Sequence, residues 1–258
     1  MNVILDQAEQ LPLTDWRDSG SYLWITGLPR SALAWEFLRR SPSYRAAFQR
    51  SDMSEREPES SWPMVRLEDP RLDARHALPA WNGIACDEIL PLRTGARPQE
   101  AIRTAIDFNR LRCRMTMIEE QAGITHVLFA ERGRQLHLAV EAHPAGGTDL
   151  MTPALAPMQA TIKRTLALRR LSDLAEHGEL RAHLYPAETR APRFARILQA
   201  LDGALAGARH RDIAVSLFGE LRVTQDWASP DNHLRDHVRR AVGQGRMMMA
   251  DGFVRLLG

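Results

Sequence analysis

The hydrophobic and polar positions follow a helical period near both ends of the chain and a strand period in the middle. Near the N-terminus, residues 30–40 and 43–49 each place their apolar side chains on one helical face. In the C-terminal part, helices are predicted over residues 157–177 and 192–206, each followed by a glycine that ends it. The pattern therefore predicts a chain that is helical at both ends.

The middle third alternates apolar and polar residues, which is the period of a half-buried strand. Three such runs cover residues 111–117, 124–130 and 135–141, and short glycine-containing turns separate them. They predict a small antiparallel β meander. A shorter run over residues 64–67 is a further strand that could join it.

Residues 209–219 have the layout of the first helix of a helix-turn-helix, with a polar start, apolar residues facing inward and a final glycine. The usual motif then turns within about four residues. Here residues 220–228 come before Ser229–Pro230, a pair typical of a helix start because serine caps it and proline fits its first turn. We therefore predict a helix-turn-helix with an extended turn.

The helix predicted from Pro230 onward has one apolar stripe and one polar face. At about 100° per residue, the stripe is formed by Leu234, Val238, Ala241 and Val242. The opposite face contains Asn232, Asp236, Arg239, Arg240 and Gly243, with Arg235 at its edge. Arginine and asparagine match guanine and adenine edges in the major groove, and arginine also binds phosphates. A solvated surface helix explains the same pattern equally well.

The charge distribution agrees with a DNA-binding C-terminus without establishing it. The net charge of the chain is only +2, yet residues 190–258 carry 11 basic against 7 acidic residues. Lys163 is the only lysine. The lysine-dependent phosphate-binding sites of P-loop proteins and kinases are therefore excluded. A GC-rich genome explains the arginine bias as well.

Other enzyme classes find little support, and we predict no catalytic residue, metal or cofactor. Histidines 126, 137 and 143 are expected to be surface residues of the meander rather than metal ligands. Gly243 and Gly245 form half of a dinucleotide fingerprint with no strand before them, so they are predicted to end the helix. No G-x-S-x-G motif is present.

The sequence also predicts a protein of the reducing cytoplasm, associated with the nucleoid. Cys86 and Cys113 lie far apart and form no metal-binding or disulfide-rich pattern. The first ten residues match neither a signal peptide nor an anchor, and no run approaches the ~20 apolar residues that span a bilayer.

Three groups of residues resemble a known pair of domains. They are Asp15–Asp18 with Ala34–Arg40, Pro42, Tyr44 and Arg45; Leu166–Leu171; and Leu201, Asp202, Arg211–Ala214, Leu217–Gly219, Trp227 and Leu234–Arg240. Together they look like the proteobacterial domain of unknown function 2285, preceded by its usual companion, domain of unknown function 6499. The resemblance implies an extended-turn helix-turn-helix regulator of conjugative transfer or excision genes on mobile elements.

The resemblance also implies roles for individual residues. The DNA-binding face would contain Arg235, Arg239 and Arg240, with Arg209 and Arg211 near the phosphates and Asn232 on the same face of the last helix. The N-terminal aromatic residues Trp16, Trp24, Trp35 and Phe37 would form an interdomain or partner-docking surface. Acidic residues at positions 212, 226, 231 and 236 dilute the positive charge.

In the resulting hypothesis, the protein is a transcriptional regulator that binds promoter DNA. The presence of the N-terminal domain favours a role as an activator. Possible protein partners are RNA polymerase or an antiactivator. The alternative is a protein-interaction module, or an antiactivator, that binds another regulator instead of DNA.

The predicted fold class is α+β and mainly helical. We expect an N-terminal helical docking domain over 1–50, a linker over 51–61 and a β-containing region over 62–156. A helical region follows over 157–258, with its helix-turn-helix over about 190–258.

Overall fold

The α+β, mainly helical class is confirmed by a computed structural model of the chain. It describes residues 14–51, 62–83, 85–86, 88–94, 97–120, 123–142, 152–153, 161–227 and 233–258. The α-helices in these ranges are α1 Arg30–Leu38, α2 Pro42–Arg50, α3 Pro98–Ala105, α4 Thr161–His177, α5 Ala191–Leu205, α6 His210–Phe218, α7 Glu220–Asp226 and α8 His233–Ala250. The strands are β1 Met64–Arg66, β2 Ala80–Trp81, β3 Leu90–Thr94, β4 Arg114–Glu119, β5 Ile124–Glu131, β6 Arg134–Ala142 and β7 Thr152–Pro153. The predicted linker lies outside the described residues except for Ser51.

The N-terminal segment folds as predicted around α1 and α2, after a 3₁₀ helix at Ser19–Gly27. Asp18 caps that 3₁₀ helix, because its Oδ1 accepts a hydrogen bond from the Gly20 amide at 2.9 Å. All α1 residues from Ala32 to Leu38 are buried. Helix α1 is therefore enclosed by the rest of the chain rather than lying on its surface.

The predicted meander is confirmed, and it belongs to a larger sheet. Strands β4, β5 and β6 are antiparallel neighbours, and β3 adds in parallel to β6 to give the order β4-β5-β6-β3-β7. The expectation that residues 64–67 join the meander is wrong: β1 pairs with β2 in a separate two-stranded sheet. Helices α3 and α4 cover one face of the large sheet with a core that includes Ile102, Ala167 and Leu174.

Both ends of the chain contribute to one continuous hydrophobic core. The Phe37 ring of α1 meets the Phe194 ring of α5 edge to face, with 5.8 Å between ring centroids. Gly203 of α5 lies against the Trp16 ring, where an added Cβ would be 3.2 Å away. Arg30 at the start of α1 donates hydrogen bonds to the carbonyl oxygens of Arg255 and Gly258 at 2.7 and 2.9 Å. The N-terminal segment and the C-terminal helices therefore stabilise each other.

The N-terminal aromatic residues that the sequence predicts to form an interdomain or partner-docking surface lie largely inside the fold. Trp35 and Phe37 are fully buried, and Trp16 is only 6% exposed. The Trp35 indole N–H donates to the Leu72 carbonyl at 3.0 Å. Trp24 is half-buried, with the Arg75 guanidinium 4.4 Å from the centre of its ring. These side chains contact other parts of the same chain.

A buried charged network joins α1 to α5. The Arg40 guanidinium donates to both Asp202 carboxylate oxygens, at 2.6 and 2.9 Å, and to Glu36 Oε2 at 2.7 Å. Tyr22 adds a hydroxyl donor to Asp202 Oδ2 at 2.7 Å. Glu36 also accepts from the Ala74 amide at 2.7 Å. All four of these side chains are buried.

Two pKa values report the electrostatics of this network. Burial alone would lower the pKa of Arg40, but attraction to Asp202 and Glu36 outweighs burial and raises it. Burial, and then the nearby Asp202 charge, raise the pKa of the Tyr22 hydroxyl, which therefore stays protonated and acts as a donor.

The expectation that the meander histidines lie at the surface is wrong for two of them, and His143 lies outside the described residues. His126 and His137 are buried on neighbouring strands, with 2.9 Å between His126 Nδ1 and His137 Nε2. Their face of the sheet is covered by a small cluster that includes Leu78 and Ala80. Burial, with a smaller effect from His126, lowers the pKa of His137 to about 3.

We predict that Asp202→Ala lowers the free energy of unfolding by ~3–5 kcal/mol, because it leaves the buried Arg40 charge without its main partner. Urea denaturation followed by circular dichroism measures the change. Glu141→Ala is the control. Its ion pair with Arg93 has both side chains more than half exposed, so its loss should change stability by less than ~1 kcal/mol. Equal losses in the two variants would contradict the role assigned to the network.

Stability should also fall as the pH is lowered from about 6.5 toward 4, in part because of His137. The unfolded chain protonates this residue near pH 6.5, whereas folded His137 has a pKa of about 3. The unfolded state then binds more protons, and stability decreases by at most ~1.4 kcal/mol per pH unit from this group. We expect His137→Leu to have a shallower slope than the parent chain in urea denaturation across this pH range. A His137→Leu slope as steep as that of the parent chain would refute the assignment.

Candidate DNA interface

The predicted extended turn is wrong, because residues 220–226 form helix α7. Helix α6 ends at Phe218, and a single residue, Gly219, separates it from α7. Gly219 has φ 86°, a left-handed value that favours glycine, and this conformation ends α6 before α7 begins. Val223 is the one α7 side chain buried in the core. Helices α6 and α7 are thus joined by a tight turn.

Helix α8 follows residues 228–232, which lie outside the described part of the chain. These residues include Asn232 and the predicted cap at Ser229–Pro230. Its predicted buried stripe is confirmed for Leu234, Val238 and Val242, while Ala241 is half-buried. The prediction that Gly243 and Gly245 end this helix is wrong, since α8 continues to Ala250.

Gly245 is instead the point where α8 crosses α5. A Cβ added there would lie 2.9 Å from the Leu201 Cβ and 3.4 Å from the Ile197 carbonyl oxygen, whereas Gly243 has open space around it. The absence of a side chain at Gly245 therefore fixes the distance at which α8 packs on the core.

The described arginines of α8 that the sequence assigns to DNA are all exposed, and each has a different environment. Arg235 lies over the Trp227 ring, with its guanidinium carbon 5.3 Å from the ring centroid. Arg239 makes an ion pair with Asp236 at 3.1 Å, and both side chains are more than half exposed. Such pairs contribute little and exchange readily for a phosphate. Arg240 points toward α5 and lines a groove there.

Arg209 and Arg211 lie at the opposite end of α6 from Gly219. Arg209 is the residue that precedes the helix, and Arg211 is in its first turn; both are exposed. A helix N-terminus carries a partial positive charge and free amide groups, which favours anions such as phosphate. Helix α6 has nine residues, or ~14 Å at 1.5 Å per residue. The structure thus places Arg209 and Arg211 at the start of α6 and Arg240 beside Phe218 at its end, rather than in one cluster.

Sequence reasoning missed three basic side chains that line the same groove as Arg240. They are Arg193 and Arg196 of α5 and His237 of α8. The signal was present: the buried positions of α5 leave residues 193 and 196 on its exposed flank. Taken alone, the α5 pattern predicts which residues face the core but not which helix lies beside its exposed flank.

Two family models match the chain. One, described as "T6SS, Transcription factor, DNA binding domain", matches residues 152–258, and the other, described as "Proteobacterial transcriptional regulator-like domain", matches residues 15–67. The matches indicate a transcriptional regulator with a DNA-binding domain in its C-terminal part. They do not test the resemblance to domains of unknown function 2285 and 6499, which stays a hypothesis.

A comparison with curated proteins finds no match. None of the helices in the described ranges is long and apolar enough to cross a membrane.

We predict opposite effects for alanine at the two glycines of α8. Gly245→Ala should lower the free energy of unfolding by ~1–3 kcal/mol, because its methyl group would overlap Leu201 of α5. Gly243→Ala should raise it by ~0.5–1 kcal/mol, since alanine is favoured over glycine in an open helical position. Thermal and urea unfolding measure both values. If Gly245→Ala were as stable as Gly243→Ala, the close crossing of α5 and α8 would be disproved.

Proposed function

We propose that this chain is a transcriptional activator that binds promoter DNA through the exposed arginines of α8 and the N-terminus of α6. The observation that carries the proposal is the match of residues 152–258 to a DNA-binding domain of a transcription factor. Arg235, Arg239 and Arg240 would read bases or bind phosphates from α8, and Asn232 just before it would join them. Arg209 and Arg211 would bind the backbone.

The geometry supports this division of roles. The α8 guanidiniums are exposed on a helix whose other side is buried in the core, so the helix presents them from a rigid support. Arginine at such a position can bind guanine with two hydrogen bonds. The two arginines at the start of α6 lie beside free helix amides, an arrangement suited to a phosphate. Helix α7 offers the exposed, mixed-charge side chains of Arg222, Thr224, Gln225 and Asp226.

The N-terminal segment would act indirectly in this proposal. Its aromatic residues hold the DNA-binding helices in place through the shared core, and its exposed surface is left for RNA polymerase or for an antiactivator. The resemblance described above points to conjugative transfer or excision genes of mobile elements as targets. The name of the matched model points to T6SS genes as a second set. In this proposal the protein has no catalytic activity.

We predict that Arg239→Ala combined with Arg240→Ala weakens binding to the DNA upstream of the protein's own gene by about tenfold or more. A base-contacting arginine contributes ~1–3 kcal/mol, and each lost phosphate contact reduces the salt slope by about 1. Fluorescence anisotropy with a labelled fragment, repeated at several salt concentrations, measures affinity and slope.

The control removes two positive charges elsewhere, with Arg103→Ala and Arg112→Ala in the exposed surface of the central region. It should leave affinity within about twofold, because these residues lie outside the proposed interface. A third variant, Arg222→Ala with Gln225→Ala, tests whether α7 reads the bases instead. Loss of sequence preference in the α7 variant alone would overturn the assignment of α8. An unchanged affinity in all three, or no binding by the parent chain, would favour the protein-interaction alternative.

Chromatin immunoprecipitation with sequencing tests the target genes. Peaks upstream of relaxase or excision genes, with lower transcript levels when the protein is absent, would support the activator role. Peaks at T6SS genes would support the second set, and higher transcript levels in the absence of the protein would show a repressor.

A further inference from the structure

A groove of about 450 Å³ lies between α5, the end of α6 and α8. Its floor is apolar and includes Ile197, Leu217 and Phe218. The Phe218 ring is backed by the His237 ring, with 6.2 Å between the two centroids. This volume and this lining are typical of sites that bind small molecules.

Arginines from two helices surround this apolar floor. Arg193 and Arg196 approach from α5, and Arg240 approaches from α8. Arg193 donates a hydrogen bond to the Gln244 side-chain oxygen at 2.8 Å, which holds its guanidinium at the rim. Among the described residues that line the groove, none is acidic, and none of the three arginines has an ion pair within the described part of the chain. Three like charges around one cavity repel each other, so an anion bound there would be stabilised.

We propose that this groove binds a small organic anion that has an apolar, preferably aromatic, body and one carboxylate or sulfonate. The apolar body would lie on Leu217 and Phe218. The acid group would accept hydrogen bonds from Arg196 and Arg240, whose planar guanidiniums match two oxygens of such a group. A DNA phosphate would satisfy the arginines but leave the apolar floor uncovered. A peptide helix would need a longer groove than one of this volume.

Ligand binding would also affect DNA binding, and this part rests on the proposed function. Arg240 belongs both to the groove and to the proposed DNA surface. An acid group that binds Arg240 removes it from DNA, so the two ligands weaken each other's binding by the same factor. In addition, Leu217 and Phe218 directly precede Gly219, and a ligand that packs on them contacts the turn that positions α7.

A matched pair of fluorescent probes tests the site on the full chain. Anilinonaphthalene sulfonate has an aromatic body and one anionic group, whereas N-phenylnaphthylamine has the same body without the charge. We expect saturable binding of the sulfonate with one probe per chain. Arg196→Gln with Arg240→Gln should weaken sulfonate binding by about tenfold or more, because both charged donors to the acid group are lost, while binding of the neutral probe changes by less than about threefold.

Two further variants complete the test. Phe218→Ala should weaken both probes, because it removes apolar floor that both would cover. Arg103→Gln with Arg112→Gln, far from the groove, should change neither. Circular dichroism verifies that each variant is folded, and the arginine pair can be tested even if Phe218→Ala unfolds, because both arginines are exposed.

Several outcomes would overturn the ligand site. The first is that the sulfonate shows no saturable binding. The second is that the arginine variant loses binding of both probes equally. The third is that this variant loses only DNA binding, which would assign the arginines to phosphates. Tight binding of an acidic amphipathic peptide in place of the sulfonate would also overturn it. If the sulfonate binds as expected but DNA does not bind at all, the ligand site stands and the proposed function fails. If both bind, the sulfonate should lower DNA affinity in the parent chain and not in the Arg240 variant.

Discussion

The Arg40 guanidinium lies between Glu36 on its own helix and Asp202 on α5, and the rest of the structure depends on this contact. A buried charge is costly without a partner, so this arrangement specifies one relative position of α1 and α5. With α1 in this position, the Phe37 ring contacts the Phe194 ring, and Tyr22 of the 3₁₀ helix donates a hydrogen bond to the Asp202 carboxylate. The DNA-binding part of the chain therefore has a core that is completed by residues far away in sequence.

A similar constraint operates between α5 and α8. Gly245 allows the two backbones to approach, while Leu234, Val238 and Val242 pack into the core and the α8 arginines remain exposed. The same approach leaves the groove between the N-terminal half of α5 and α8 where their flanking arginines converge. The positions of the charged side chains follow from packing contacts that involve no charge at all.

The sequence predicts long helices and strands that bury several side chains on one face. It does not predict a short helix with one buried side chain, or the burial of a strand on both of its faces. Helix α5 has Phe194, Ile197, Leu198 and Leu201 at helical spacing and buries all four, and glycine follows the helix where predicted. Helix α7 buries only Val223 among seven residues, so no apolar repeat identifies it as a helix and the sequence predicts a turn there. The two glycines of α8 suggested a helix end, because sequence alone does not show that another helix passes beside Gly245.

The sheet shows the same limit. Strand β5 is buried on both faces, by the α3 and α4 layer on one side and by residues near β2 on the other. The sequence does not show what covers the second face, so it predicts surface positions for His126 and His137, which are buried there. For the candidate site, the α8 arginines were predictable from helical angles, whereas Arg193 and Arg196 required the packing of α5 against α8.

The buried carboxylate of Asp202 also makes the C-terminal helices dependent on the N-terminal segment. A chain that kept helices α5–α8 but lost the first fifty residues would expose an apolar face of α5 with an anion at its centre, where Arg40 and Tyr22 now lie. Recombination between related genes would then succeed only where both halves carry compatible residues, or where position 202 has become neutral. The two matched segments, separate in sequence, are expected to be inherited as one unit.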